Sequence, residues 1–572
     1  MKYTSTRSKS IICTFEEALC SGYAPDGGLF VPEHLPRELF CAERLRGQFD
    51  GVNWYNLNYV DLTFEVLKHF IDKTEIPPDD LRKICRQALQ GFSDPKQVVP
   101  VKPLQPNGST VKNSKPFFVA ELFHGPTFCF KDLGMSMVIR LLSYFCSKRS
   151  HPITLLVATT GDTGPAAVQA VCDANNPLLN ILVHYPEGQI SSFQRRQLTT
   201  VKSERVRVVA FEGDGDDMDR PIKNLLASSR HEINTCTKDE EAINPTTSSG
   251  SSIWTGVNSY NIGRPLMQMV HFVWTYLRVT ESMLPLADKS KPANGEQENT
   301  LLVDFVLPTG AMGNIAGGYM AKQMGLPIGT LIAGVNENDI TDRVFQTGQF
   351  HKSDKMHKTL SDAINIQIPY NFERLLYYLT DENHELVSNW MKQVDERHQN
   401  DLSEEWLQRL QEDFDSAVVT DAEMCTMIRA LRDKYNYWID PHTAIAFGAA
   451  QKLGFSVFAD ENGPDSLTIP TRKDRLPTKS CATALLATAS PCKFEESLTA
   501  AVGQKGWDEF RDSSGGFPKA AERILELREK DPVKYVRLLG GQSTLLESQR
   551  KWEESARLLI QELEKCTGSC PA

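Results

Sequence analysis

The sequence has no stretch approaching the roughly 20 apolar residues that a membrane-spanning helix needs. It has no repeated C-x-x-C pair, and it has no surplus of positive charge. Its thirteen cysteines are odd in number and loosely spaced, which speaks against a disulfide framework or a zinc site and for a reducing compartment. A net charge of −11 speaks against a basic nucleic-acid footprint and against attraction to anionic membranes. No apolar run follows residues 1–7, and that stretch is poor in arginine, so neither a secretory signal nor a transit peptide is expected. H-E-x-x-H, G-x-S-x-G and P-loop patterns are missing as well. The expectation is a cytoplasmic protein, monomer or homodimer, with a small-molecule substrate and neither nucleic acid nor membrane as partner.

What is present is ordinary for a globular protein: 572 residues, 41% apolar and 24% charged, enough for more than one domain. Residues 1–100 read as mixed and mainly helical. Thr14 with Glu17 three residues on has the spacing of a capping box. From residue 116 short apolar runs alternate with helical ones. Strands are expected at 116–122, 153–158, 181–185, 206–210, 302–307 and 331–335. Helices are expected at 133–145, 165–172, 191–202, 217–228 and 314–324. Such alternation argues for an α/β fold with mostly parallel sheet. Segments 229–252, 285–299 and 455–480 read as polar connectors. The tail from Pro518 returns to helix, with Trp552, Ala556, Leu559 and Leu563 on one face, read as a docking face.

Three stretches carry chemistry. Lys131 lies in Phe128-Cys129-Phe130-Lys131-Asp132, at the start of a helix that reads as buried. Dehydration there lowers an amine's pKa and supplies the neutral form that condenses with a carbonyl. Taken alone, such a lysine more often snorkels to solvent or pairs with Asp132. Thr160-Gly161-Asp162-Thr163-Gly164 and Gly310-Ala311-Met312-Gly313-Asn314 each follow a strand and precede a helix, the place for an anion cradle or for a plain capped turn. Asn258, Ser259 and Asn261 with Arg264 gather donors suited to phosphate, or cap a helix. Thr488 follows the apolar run 482–486, at a strand's carboxyl end where a hydroxyl bonds a pyridine nitrogen or caps. His124 and His442 are weaker acid–base candidates. Asp214, Asp216, Asp217 and Asp219 lack the pattern of a calcium loop and read as a solvated helix start, so no metal is expected. One amine and two anion cradles point to an enzyme acting on a phosphorylated small molecule with a phosphorylated cofactor.

Taken together, these stretches resemble the threonine synthase family of pyridoxal-phosphate enzymes, fold type II. The likeness runs from Tyr3 to about Phe494. It also takes in Ser5-Thr6-Arg7, the 22–30 turn, residues 121–127, Asn371-Phe372-Glu373-Arg374-Leu375 and Asp440-Pro441-His442-Thr443-Ala444. The resemblance implies an α/β fold with two sheet domains and the cofactor between them, plus an N-terminal mainly helical domain. It places the domains at 1–103, at 116–515 with a small sheet domain about 135–285, and at 516–572 as a helical tail. It implies pyridoxal 5'-phosphate as cofactor, carried by Lys131, with Gly310, Ala311, Met312, Gly313 and Asn314 on its phosphate and Thr488 facing its ring nitrogen. Thr160, Gly161, Asp162 and Thr163, with Asn258, Ser259, Asn261 and Arg264, would hold the substrate's carboxylate and phosphate. Ala311 and Met312 stand where the family's loop usually has Asn and Phe, a change similar to that in animal threonine synthase-like phospho-lyases. The implied reaction removes phosphate from O-phosphohomoserine or a related phospho-amino acid, with Lys131 taking the α-proton, and leaves threonine or 2-oxobutyrate. The alternative is a cofactor-binding protein of the same fold without turnover.

Overall fold

In the computed structural model the described residues are 1–47, 51–105, 115–236, 252–283, 300–455, 479–513, 516–538, 540 and 542–567. Most of the connectors expected at 229–252, 285–299 and 455–480 lie outside them. Two parallel sheets carry the architecture. The first has six strands, in spatial order Phe414–Val418, Ile328–Val335, Val303–Pro308, Ala482–Ala487, Phe117–Glu121 and Val101–Pro103. All its neighbours pair parallel except the last two. The second has five strands, all parallel: Val533–Tyr535, Val206–Phe211, Leu179–Pro186, Ile153–Ala158 and Ile253–Gly256. Central strands such as Ile153–Ala158 and Val303–Pro308 are buried on both faces. That is why they read as unbroken apolar runs rather than as alternation.

Helices cover these sheets. Lys131–Arg149 begins two residues earlier than expected, at Lys131 itself, and is buried over most of its circumference. Gly263–Met283 is apolar nearly all round and packs beside it. The N-terminal region adds a small antiparallel sheet, Ser8–Cys13, Tyr3–Ser5 and Phe30–Pro32, and the capping box of Thr14 and Glu17 is formed. This region is tied down by charge. Arg7 grips Glu373 with two bonds of 2.9 Å, and Thr6 bonds the same carboxylate. The Ser5–Arg7 and Asn371–Leu375 motifs, more than 360 residues apart in sequence, are therefore one structural joint.

The tail departs from expectation in one respect. It is not wholly helical: Val533–Tyr535 pairs with Val206–Phe211 and caps the edge of the second sheet. Gln542–Thr567 then lays Trp552, Ala556, Ile560 and Leu563 on that sheet's face, so the docking partner is the chain itself. The polar segment after Ser228 also begins as helix, since Asp219–Cys236 continues into it.

Candidate active site

The expected stretches converge, and three of them sit at strand ends. The 159–162 turn follows Ile153–Ala158, the 309–312 turn follows Val303–Pro308, and Thr488 follows Ala482–Ala487. All three lie at carboxyl ends of parallel strands, and they line one cleft. Lys131 opens into it from the first turn of its helix, with Nζ 4.4 Å from the centre of the Phe130 ring. Burial, and then the Arg264 guanidinium nearby, bring its amine down to about 8. Asp132 is not its partner. Both Asp132 carboxylate oxygens accept from Thr127, at 2.6 and 2.8 Å.

Gly310, Ala311, Met312, Gly313 and Asn314 all line the cleft at the start of the Gly313–Gln323 helix. Met312 sits at φ 59°, a left-handed turn that brings the backbone round beneath the cleft. The two glycines sit in tight surroundings. A Cβ on Gly310 would stand 3.0 Å from the Ile364 backbone, and one on Gly313 would stand 3.1 Å from Ser259. Asn314 is oriented by a residue that sequence reasoning missed. Its Oδ1 accepts at 2.7 Å from Nε2 of His271, an imidazole that burial pushes down to about 4 and so keeps neutral. Asn314 Nδ2 is left buried without a hydrogen-bond partner, as are Asn258 Oδ1, Arg264 Nε and Gln268 Oε1, all from residues lining the cleft. Buried polar atoms are nearly always satisfied. Two of the orphans, Asn314 Nδ2 and Arg264 Nε, are donors beside an amine and a helix N-terminus and fit an anionic ligand such as pyridoxal phosphate, whereas the two amide oxygens call for a ligand that also carries donors.

Thr160, Asp162, Thr163, Asn258, Ser259 and Arg264 line the cleft as expected. Two of the expected substrate contacts do not. Asn261 turns away: its Nδ2 donates to the Leu19 and Gly256 carbonyls at 2.8 and 2.9 Å, and its Oδ1 accepts from the Gly263 N–H. It caps the following helix and anchors the N-terminal region. Gly161 serves by shape. Its φ is 121°, its N–H donates to the Thr159 hydroxyl, and a Cβ there would run into the Gln194 side chain. Arg264 is buried, and one of its nitrogens is already spent on the Val257 carbonyl at 3.1 Å. Of the two histidines, His124 pairs with Glu121 at 2.8 Å outside the cleft, whereas His442 lines it.

His442 belongs to a chain of bonds that ends at Thr488. Asp440 accepts from His442 Nδ1 at 2.9 Å and from the Thr443 hydroxyl, and the Thr443 hydroxyl accepts from the Thr488 N–H at 3.2 Å. His442 Nε2 accepts from the Ala363 N–H at 3.1 Å, which sets the neutral tautomer. Burial alone would depress this imidazole, but Asp440 and then Asp362 hold it above its ordinary value. Asp362 faces Nε2 at 3.8 Å and is pushed up by burial to about 7. The Asp440-Pro441 start of a helix was the available signal for this network.

The aspartates of 214–219 require a correction. Asp216 and Asp219 are not a solvated helix start; both line the cleft. Burial, with carboxylates as near neighbours, raises Asp216 to about 6 and Asp219 well above its ordinary range. Polar residue type alone did not show which of the four faces inward. Sequence reasoning also missed Asn371 and Arg374 as scaffolding. They donate to the Ser259 carbonyl at 3.0 and 3.1 Å and so set the backbone beside the cleft.

Two parallel-sheet layers, with a lysine at one helix start and a glycine-rich turn at another, both on one cleft, define a fold type II pyridoxal-phosphate enzyme. Within that class the comparisons are specific. Residues 2–89 match the family model described as threonine synthase N terminus. Threonine synthase-like 2 of Mus musculus is 33% identical over 535 residues, covering 93% of this chain and 92% of that protein. Threonine synthase of Saccharomyces cerevisiae is 30% identical over 558 residues, covering 92% and 94%. The crystal structure of yeast threonine synthase superposes with a TM-score of 0.73 at 28% identity, covering 97% of this chain and 99% of that one. A pyridoxal-phosphate-bound threonine synthase from Brucella melitensis gives 0.73 at 27%, covering 99% of each. The chain belongs to the threonine synthase family.

Proposed function

We propose that the chain is a pyridoxal-phosphate-dependent lyase that removes phosphate from a phospho-amino acid, with O-phosphohomoserine the first candidate. The observation that carries this reading is the Lys131 amine, brought down to about 8, in the same cleft as two helix N-termini and two orphaned donors, Asn314 Nδ2 and Arg264 Nε. The names of the relatives, threonine synthase and threonine synthase-like 2, support it, as does the pyridoxal phosphate bound to the Brucella enzyme.

In this reading Lys131 carries the cofactor, Gly310–Asn314 receive its phosphate, and Thr488 meets its ring nitrogen. When bound, the cofactor supplies the electron sink for carbon–hydrogen cleavage next to the amino group. The chain supplies the rest. Lys131, once its amine is freed, takes the substrate α-proton and has the depressed basicity to return it. The 160–163 turn, at the start of the Thr163–Ala174 helix, binds the substrate carboxylate. Asn258, Ser259 and Arg264 bind the substrate phosphate and orient it for departure. Phe130, Met312, Ile364 and Ile366 shield the reacting carbons from water.

The test is phosphate release from O-phosphohomoserine, phosphothreonine and phosphoserine, with threonine and 2-oxobutyrate measured as products. Threonine identifies a synthase, and 2-oxobutyrate with ammonia identifies a catabolic phospho-lyase. A yellow protein that releases phosphate from none of the three would instead be a binding protein without turnover.

A further inference from the structure

Lys493 lies outside every role assigned so far, and its side chain is wholly buried. Its ammonium bonds Asp162 Oδ1 at 2.6 Å. The same oxygen accepts from Gln194 Nε2 at 3.0 Å. Asp162 stands on the turn after Ile153–Ala158, in the five-stranded sheet. Lys493 stands five residues after Thr488, on the segment that leaves the six-stranded sheet. The pair therefore bridges the two sheets directly beneath the cleft. A second bridge lies beside it, since the Ser191 hydroxyl donates to the Lys493 carbonyl at 2.7 Å. Ser191 also starts the helix that holds Gln194 in place through a capping box.

Removing two charges from water is costly, and a buried pair offsets this only with good geometry. A structural joint could be made with less cost from apolar side chains. What a buried ion pair adds is control of the local field. The charged and titratable groups facing Asp162 are Lys131 and Asp132 from one helix, Cys129 just before it, Asp362, His442 and Lys493 itself, and Arg264 faces Lys131. Without Lys493 the floor would hold an uncompensated carboxylate under a site built for anions. That carboxylate would also favour the charged form of the Lys131 nitrogen.

We propose that Lys493 is a positioning residue: it cancels the Asp162 charge beneath Lys131 and pins the substrate turn to the segment bearing Thr488. This rests on the proposed cofactor site but not on turnover. The experiment uses the pyridoxal-phosphate-loaded full chain and follows its visible absorption against pH. Lys493→Met leaves a bare carboxylate, so the midpoint of the absorbance change rises by about one pH unit or more. Asp162→Asn leaves a bare ammonium, so the midpoint falls by a similar amount. The double variant buries neither charge, and its midpoint returns toward that of the wild-type protein. Opposite shifts with return in the double variant support the proposal, and the Asp162→Asn and double variants suffice if Lys493→Met does not fold. Midpoints that stay put while thermal stability drops would overturn it, because a purely structural pair would do that. Both single variants moving the same way would also overturn it. If the wild-type protein shows the absorbance change yet releases no phosphate from any phospho-amino acid, the functional reading fails and the titration still decides the role of Lys493.

Discussion

Asn314 shows how one side chain is prepared for a ligand. His271 holds its Oδ1, so the amide cannot flip without losing that bond, and Nδ2 stays available. Asn314→Ala is expected to weaken cofactor retention about tenfold, the value of one hydrogen bond to a charged group, measured by dialysis against absorbance. The Lys131 amine makes a sharper statement. With the amine at about 8, capture of pyridoxal phosphate by the apoprotein should accelerate as pH rises to about 8 and then level off. An unperturbed lysine would go on accelerating toward its ordinary value of 10.5. Lys131→Ala should be colourless, resist borohydride fixation and release phosphate at least about 10³-fold more slowly. Asp362 has the opposite burden. Its carboxyl is raised to about 7 from 3.8, so its charged form costs stability at high pH. That cost fades as pH falls through 7 and is gone below 3.8. Asp362→Asn should therefore unfold at higher urea than the wild-type protein at pH 8, with the difference vanishing near pH 4.

At the scale of elements, the decisive pieces are turns at strand ends. The 159–164 turn works because the Thr159 hydroxyl accepts from two N–H groups, those of Gly161 and Gly164, and so holds the turn before any ligand arrives. Gly161→Ala forces a side chain into the φ 121° conformation and against Gln194. The expected cost is about 2 kcal/mol or more, read from urea unfolding. A larger fall is expected in phosphate release, since Gln194 supports Asp162. The joint between the N-terminal sheet and the Phe372–Leu379 helix is similarly discrete. Arg7→Ala leaves the nearly buried Glu373 unpaired and should cost about 3 kcal/mol.

For the whole molecule, the two sheets enclose the cleft and the tail completes one of them. An open sheet edge is a template for aggregation, and Val533–Tyr535 occupies that edge here. Trp552 fills the face behind it, against Phe211 with ring centres 5.5 Å apart, and its indole N–H bonds the Val536 carbonyl. Trp552→Ala should cost about 3–5 kcal/mol in the thermal or urea transition while leaving the residues of the cleft in place. Among the described residues no helix is long and apolar enough to cross a membrane.

Much of this is legible in the linear chain because the chemistry is local. Buried parallel strands announce themselves as short apolar runs, and turns that cradle anions need glycine and hydroxyls at fixed offsets, so the converging stretches stand out one by one. Capping at Thr14 depends on residues three apart and is legible for the same reason. What tertiary structure alone decided is which polar side chains face inward. Asn261 and Arg264 sit three residues apart in one motif, yet one anchors the N-terminal region and the other lines the cleft. Asp216 and Asp219 line the cleft although their run looks like solvent. His271, Asp362 and Lys493 gain their roles from partners 43 to 331 residues away, through burial and charge that no local pattern encodes. Sequence specifies the groups that can do the chemistry; the field each one feels exists only once the sheets have closed around it.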